Sequence, residues 1–238
     1  VNSLKTNTSK ALLMLEEAGV SVAPNPLSPT ALTVTDGARR IRNSTAYKDG
    51  FIELQDASSQ AVVDALPQSN KVLDYCAGGG GKSLAIAARG ASAVFAHDID
   101  PARMRDLPLR AARAGADITQ LAGSDLEKFG PYDIVLVDAP CSGSGAWRRA
   151  PEAKWRLTPE EQSRTLARQD DILDQASALV SAEGVLAYAT CSILPEENRA
   201  RIDAFVARHP DWECNWDRTF DVNSHGDGFY AAHLTKRK

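Results

Sequence analysis

The sequence predicts an α/β protein on a doubly wound, mostly parallel sheet, with a small α+β module at its N-terminus. Three observations carry that prediction. From Lys71 onward, short apolar runs alternate with amphipathic segments, the rhythm of parallel strands and crossover helices. Two runs, Ile134-Val135-Leu136-Val137 and Val185-Leu186-Ala187-Tyr188, are continuous rather than alternating, as strands buried on both faces are. Each leads into a short polar loop with a cysteine: VLVDAPCSGSG reaches Cys141, and LAYATCS reaches Cys191. The carboxyl edge of such a sheet faces the ligand crevice, so loops there are where an α/β enzyme places a nucleophile.

The elements follow in order. Residues 9–18 read as a short amphipathic helix with Leu12, Leu13 and Leu15 on one side. The proline-rich AGVSVAPNPLSPTALTV breaks into short strands or loops, continuing through Thr45. FIELQDASSQAVVDAL restarts helical periodicity, with Ala61, Val62, Ala65 and Leu66 on one face and Pro67 closing it. Residues 1–68 are read as the N-terminal module and 69–238 as the main domain. There, KVLDYCA is a strand, LAIAARG a helix stopped by Gly90, and ASAVFAHDID a second strand. MRDLPLRAARAG is a helix with Gly115 at its C-terminal cap, DITQLAG a third strand and YDIVLVDA a fourth. TPEEQSRTLARQDDILDQASALV is a long helix with Thr158 as N-cap, Pro159 in the first turn and Glu161 completing a capping box. Its core stripe is Leu166, Leu173, Ala176 and Val180. GVLAYATCS is a fifth strand, PEENRARIDAFVARHP a helix, and the tail, DWECNWDRTF to GFYAAHLTK, an antiparallel pair.

The 238 residues, 43% hydrophobic and 24% charged, describe an ordinary soluble globule. No run approaches the ~20 apolar residues of a membrane span. A net charge of −4 does not advertise a nucleic-acid binder, although phosphate contacts need only a local basic surface. Such clusters exist at Arg39, Arg40 and Arg42, at Arg148, Arg149, Lys154 and Arg156, and at Lys236, Arg237 and Lys238. A solvated face is the simpler reading of each; the second stands out because it directly follows Cys141. Four cysteines (Cys76, Cys141, Cys191, Cys214) without a signal peptide indicate a reduced, cytoplasmic protein rather than a disulfide framework. With no CxxC pair and four scattered histidines, no metal site is expected. The NST triplet at Asn43 is a chance-level glycosylation match. The start at Val1 suggests a processed or cut chain.

LDYCAGGGGKS lies between the first strand and first helix of the alternating unit. Glycines at that turn let the backbone approach a ligand, and the helix N-terminus offers free N–H groups. The GKS ending invites a P-loop reading, but Walker A requires glycine five residues before Gly81, and Cys76 stands there. Asp98, twenty residues after Gly78, is placed to accept hydrogen bonds from a ribose diol, unless it caps the helix started by Pro101. Asp125, after the third strand, is placed to meet an adenine. NAD and S-adenosylmethionine both satisfy this arrangement, and the glycine turn does not choose between them.

DAPCSGSG, ATCS and CAGGGGKS together resemble the Sun/Fmu/RsmB family of RNA cytosine-5 methyltransferases. VNSLK, GFIELQDASSQ, RRAPEAKW and GFYAAHL fit the same pattern, so the resemblance spans nearly the whole chain. One departure is Gly79, where the family often carries proline; it bears on loop stiffness. The other is length, since related proteins commonly carry a further N-terminal RNA-binding domain. The expectation is therefore a truncated chain whose residues 1–68 keep part of that RNA-binding module.

The resemblance implies a Rossmann-like class I methyltransferase sheet, S-adenosylmethionine as cofactor and RNA as partner, ribosomal RNA first and transfer RNA second. It assigns Cys191 as the nucleophile on carbon 6 of cytosine, Asp138 as the group meeting the ring nitrogen, and Cys141 as the residue assisting release. The cofactor set is Cys76, Ala77, Gly78, Gly79, Gly80, Gly81, Lys82, Asp98, Arg103, Asp125 and Asp138. Arg148, Arg149 and Lys154 are assigned to phosphates flanking a flipped base. A monomer is expected. Rival readings are an NAD dehydrogenase, a non-catalytic RNA-binding factor on the same fold, and a methyltransferase acting on protein or small molecules. The first and third leave the two cysteine motifs unexplained, and a binding module needs neither.

Overall fold

The computed structural model describes residues 1–237; Lys238, last of the C-terminal basic cluster, lies outside the described residues. The chain opens with α1 (Thr8–Glu17), a hairpin of β1 (Ser21–Pro24) and β2 (Leu32–Asp36), and the short α2 (Thr45–Lys48). These close on a small apolar cluster of their own, with Ala11, Leu15, Val20, Ile41, Ala46 and Ile52 buried. The helix buries Ala11 and Leu15, one turn apart, while Leu13 is 58% exposed. The expected leucine face is therefore corrected: residues four apart share a helix face and residues two apart do not.

Next come α3 (Ala57–Asp64), β3 (Lys71–Asp74), α4 (Gly81–Ala88), β4 (Ala93–Ala96), α5 (Leu107–Ala114), β5 (Ile118–Gln120), α6 (Leu126–Phe129) and β6 (Tyr132–Asp138). The rest is α7 (Pro159–Ser177), β7 (Val180–Thr190), α8 (Arg199–Arg208), β8 (Trp212–Phe220) and β9 (Phe229–Lys236). Seven strands form one sheet in the order β5-β4-β3-β6-β7-β9-β8. The first five in that order are parallel; β9 runs antiparallel to β7 and to β8. The doubly wound sheet is thus present, and the tail pair extends it.

Alternate residues of each strand serve opposite faces. Leu73, Val135, Val137, Leu186 and Tyr188 pack with Leu173 and Ala176 of α7 and with Ile202 and Phe205 of α8. Val72, Ile134, Leu136 and Ala187 meet Val63 and Leu66 from the α3 side, and Ile86 and Ala87 of α4. Although α3 precedes residue 68, it packs on the large sheet, as Ala61 and Val62 also do against Ala231 and Phe229. The N-terminal cluster is tied to the sheet domain by Asn2 Nδ2 donating to Ala114 O at 2.7 Å and Asn25 Nδ2 donating to His225 O at 2.8 Å.

Three expected helices have different limits. α4 begins at Gly81, ahead of the apolar run, because the glycine turn itself is its entry. The segment from Met104 starts as a 3-10 turn, Pro101–Met104, and α5 begins at Leu107, with Pro108 in the first turn where its missing N–H has no helical partner. The helix expected from Pro195 is also divided, into a 3-10 turn Pro195–Glu197 and α8, because Glu197 and Asn198 turn inward. In α7 Thr158 caps as expected, accepting from Glu161 N. Its stripe buries Leu173 and Ala176 and leaves Leu166 half-buried; Gln169 is buried, and Val180 already belongs to β7.

Candidate active site

The strand order reverses between β3 and β6, since β3 leads outward through β4 and β6 through β7. A crevice opens at the carboxyl ends of strands at such a switch point. The glycine loop follows β3, Asp138 ends β6, and Cys191 directly follows β7, so all the central candidates meet at one edge.

In the glycine loop, Gly80 is the N-cap of α4 at φ +77° with no side chain capping the helix. A Cβ there would stand 2.3 Å from Leu107 Cδ1, so glycine is what lets the loop lie on α5. Gly78, at φ +52°, donates its N–H to Asp98 Oδ2 at 2.9 Å. Asp98 is buried and also accepts from Asp100 N at 3.0 Å and pairs with Arg103 at 3.0 Å. It does not cap the following turn; Asp100 does, accepting from Ala102 N. Gly79 O accepts from Arg110, and Ala77 N donates to His97 O at 2.9 Å. Burial pushes the Cys76 thiol up, away from thiolate chemistry.

Beneath the loop, Asp74 is fully buried and accepts from Ser83 Oγ at 2.6 Å, while its Oδ1 has no partner. Burial raises its pKa to about 7. This buried free acceptor and the uncapped helix N-terminus fit a ligand that brings both donors and acceptors. Farther along the edge, Asp125 follows β5 and pairs with Lys128 at 2.6 Å.

The chemical centre is compact. Lys82 Nζ lies 2.7 Å from Asp138 Oδ2, with the lysine side chain 8% exposed and the aspartate 32%. The Lys82 ammonium also lies 5.2 Å from the centre of the Phe229 ring. Cys141 Sγ and Cys191 Sγ are 3.4 Å apart, and both are free thiols. The contact with Cys141 lowers the Cys191 pKa; burial and Asp138 oppose this and Lys82 supports it. The same contact, burial and the Glu197 carboxylate hold Cys141 well above its usual range. The two thiols are therefore unequal, with Cys191 the more readily ionised of the pair.

Several supporting residues escaped the sequence reading. Gln169 Nε2 donates to Pro140 O at 2.9 Å, fixing the residue before Cys141. Glu197, buried, accepts from Ser142 N and Ser142 Oγ, both at 2.8 Å. Asp227, with no exposed side-chain surface, holds both Arg148 Nε at 2.9 Å and Arg149 Nε at 2.8 Å. Only Gln169 left a trace in the sequence, as a polar residue on the apolar stripe of α7. The two arginines are therefore not free side chains, although they remain 42% and 61% exposed. Lys154 is exposed and lies over the Trp155 ring at 5.2 Å.

The profile of the family described as 16S rRNA methyltransferase RsmB/F matches residues 61–235. The chain belongs to that family. The ribosomal RNA small subunit methyltransferase B of Photorhabdus laumondii is 34% identical over 256 aligned residues, covering 100% of this chain and 59% of that protein. Its counterpart in Salmonella arizonae is 35% identical, covering 94% of this chain and 56% of its own length. The chain thus spans about three-fifths of the curated relatives it matches. Among solved structures, a methyltransferase homolog from Pyrococcus horikoshii superposes with a TM-score of 0.84 at 25% identity, covering 100% of this chain and 85% of that one. PH0851 does so with a TM-score of 0.90 at 30% identity, covering 99% and 58%. Membership of this methyltransferase family sets aside the dehydrogenase reading.

Proposed function

We propose that this RsmB/F-family chain carries the catalytic domain of an S-adenosylmethionine-dependent RNA cytosine-5 methyltransferase acting on small-subunit ribosomal RNA. The observation that carries the reading is the pair of free thiols, 3.4 Å apart, beside the Lys82–Asp138 pair. Carbon 5 of cytosine is a weak nucleophile, and addition of a thiolate to carbon 6 breaks the ring's aromaticity and loads electron density onto carbon 5. Cys191 makes that addition. Asp138 meets the ring nitrogen, with the Lys82 ammonium behind it as the source of positive charge. S-adenosylmethionine supplies the electrophilic methyl group. Cys141 then assists release of the methylated base, passing its proton to the departing Cys191 sulfur as it takes the carbon-5 proton, so that both cysteines end as thiols.

The loop residues Cys76 to Lys82 cradle the cofactor, with Asp98 and Arg103 toward the ribose and Asp125 toward the adenine. The target base leaves its stack to reach the thiols. Lys154 and the exposed faces of Arg148 and Arg149 meet flanking phosphates. Residues 1–68 serve as part of an RNA-binding module. Among the described residues no helix is long and apolar enough to cross a membrane; the reading is of a cytoplasmic monomer.

The test is transfer of labelled methyl to small-subunit ribosomal RNA, together with trapping on RNA containing 5-fluorocytosine. Label in 5-methylcytosine and a protein–RNA adduct lost in Cys191→Ala support the reading. Methylation of transfer RNA alone would replace the substrate, and an adduct that persists without Cys191 would reverse the cysteine roles. RNA binding with no transfer would favour the non-catalytic factor.

A further inference from the structure

Two consecutive buried side chains reach both cysteine loops. Glu197 accepts from the N–H and hydroxyl of Ser142, the residue after Cys141, at 2.8 Å each. Asn198 accepts from Thr190 Oγ1 at 2.5 Å and donates to Ser192 O at 2.9 Å, and these residues flank Cys191 on either side. Gly145 N donates to Cys191 O at 3.0 Å, closing the connection between the loops. Among the described residues Glu197 makes no ion pair; Arg201, nearby on α8, is paired with Asp170 at 2.6 Å. A buried charge without a cation is costly, and hydrogen bonds to one serine offset only part of that cost. A neutral residue of similar shape would hold Ser142 more cheaply, so the charge itself needs a role.

We propose that Glu197 and Asn198 form a positioning clamp that sets the spacing of Cys141 and Cys191, and that the Glu197 charge beside Cys141 assigns the thiolate to Cys191. Two carboxylates bracket the thiol pair, Glu197 on the Cys141 side and Asp138 on the Cys191 side. Asp138 is paired with Lys82 at 2.7 Å, and among the described residues Glu197 has no ion pair. Among the described residues Arg149 also interacts with Cys191 and Tyr188 with Cys141. The Tyr188 hydroxyl donates to Glu197 O at 2.7 Å, so it belongs to the clamp. The device leaves one thiol ionised for attack and its neighbour protonated for a later step. Its link to catalysis rests on the methyl-transfer reading.

The experiment is alkylation by iodoacetamide across a neutral-to-alkaline pH series, with each cysteine followed by peptide mass spectrometry in the 238-residue chain. It needs neither RNA nor cofactor, so failure of the methyl-transfer reading leaves its outcome intact. In the native chain Cys191 reacts at lower pH than Cys141; the opposite order overturns the proposal without any variant. Glu197→Gln raises the reactivity of Cys141 relative to Cys191 at neutral pH about tenfold, one pKa unit. Glu197→Asp, which keeps the charge, restores most of the native ratio. Asn198→Ala speeds both cysteines by loosening the loops and leaves the order of their pH midpoints unchanged. An unchanged ratio in a folded Glu197→Gln chain, or equal losses in the Gln and Asp variants, overturns the charge assignment.

Discussion

Cys141 and Cys191 occupy corresponding places on neighbouring parallel strands, yet their surroundings make them chemically unequal. In the register of β6 and β7, Asp138 stands opposite Ala189, so the two loops leave the sheet side by side. Cys191 follows its strand directly and feels the Lys82 ammonium. Cys141 comes after the Ala139-Pro140 step, in a loop held by Gln169 and Glu197. One site favours negative charge and the other disfavours it. Equivalent positions in a sheet do not give equivalent surroundings; the groups that reach each loop from other elements differ.

The largest effect that would break this comparison is loss of the attacking thiol. Cys191→Ala is expected to bring methyl transfer and the RNA adduct below detection. Cys141→Ala is expected to form an adduct that survives denaturing electrophoresis and accumulates. If the two variants behave alike, the inequality has no catalytic meaning.

A smaller effect tests the source of the charge. Lys82→Met removes the cation and is expected to slow alkylation of Cys191 at neutral pH about tenfold, roughly one unit of thiol pKa. Cys141 should change little, since Glu197 rather than Lys82 faces it. Equal slowing of both cysteines would refute the assignment.

Below the thiols, Asp74 gives a signature in stability against pH. Its pKa is raised from 3.8 to about 7 by burial, so between those values the unfolded chain has lost a proton that the folded chain keeps. Stability therefore falls as pH rises through that window, and Asp74→Asn should flatten the fall. His233 works in the opposite sense, being held neutral by burial down to about 4 from 6.5. It contributes stability that is lost as pH falls from 6.5 toward 4, while Asp74 gains over the same range. Melting temperatures across a pH series, with Asp74→Asn and His233→Gln, separate the two.

The smallest expected effect lies behind Cys141. Gln169 holds Pro140 through one hydrogen bond, but its Oε1 is buried without a partner. Gln169→Leu loses the bond and removes that orphan acceptor, so stability should change by no more than about 1 kcal/mol. The alkylation rate of Cys141 should then reveal whether the bond places the thiol. No change would leave Glu197 alone in that role.

Much of this was legible along the chain. The continuous apolar runs predicted β6 and β7, and the cysteines just past them do come together, 3.4 Å apart. Thr158 with Glu161 predicted the start of α7. What linear reading missed involved partners far apart in sequence. Arg148 and Arg149 look like a free basic pair until Asp227, 79 and 78 residues away, is seen to hold both. Glu197 looks like an ordinary solvated helix residue, and nothing local shows that it is buried against Ser142, 55 residues earlier.

By itself the sequence determined the strand–helix alternation, the glycine turn, the two cysteine loops and the family they resemble. These depend on periodicity and short-range chemistry that each segment carries in its own residues. Only the tertiary structure decided how close the two thiols lie, which arginines are already paired, and that a buried dipeptide joins the two loops. Those outcomes depend on desolvation and on charges a few ångströms apart in space. Both arise only when the sheet brings distant segments to one edge.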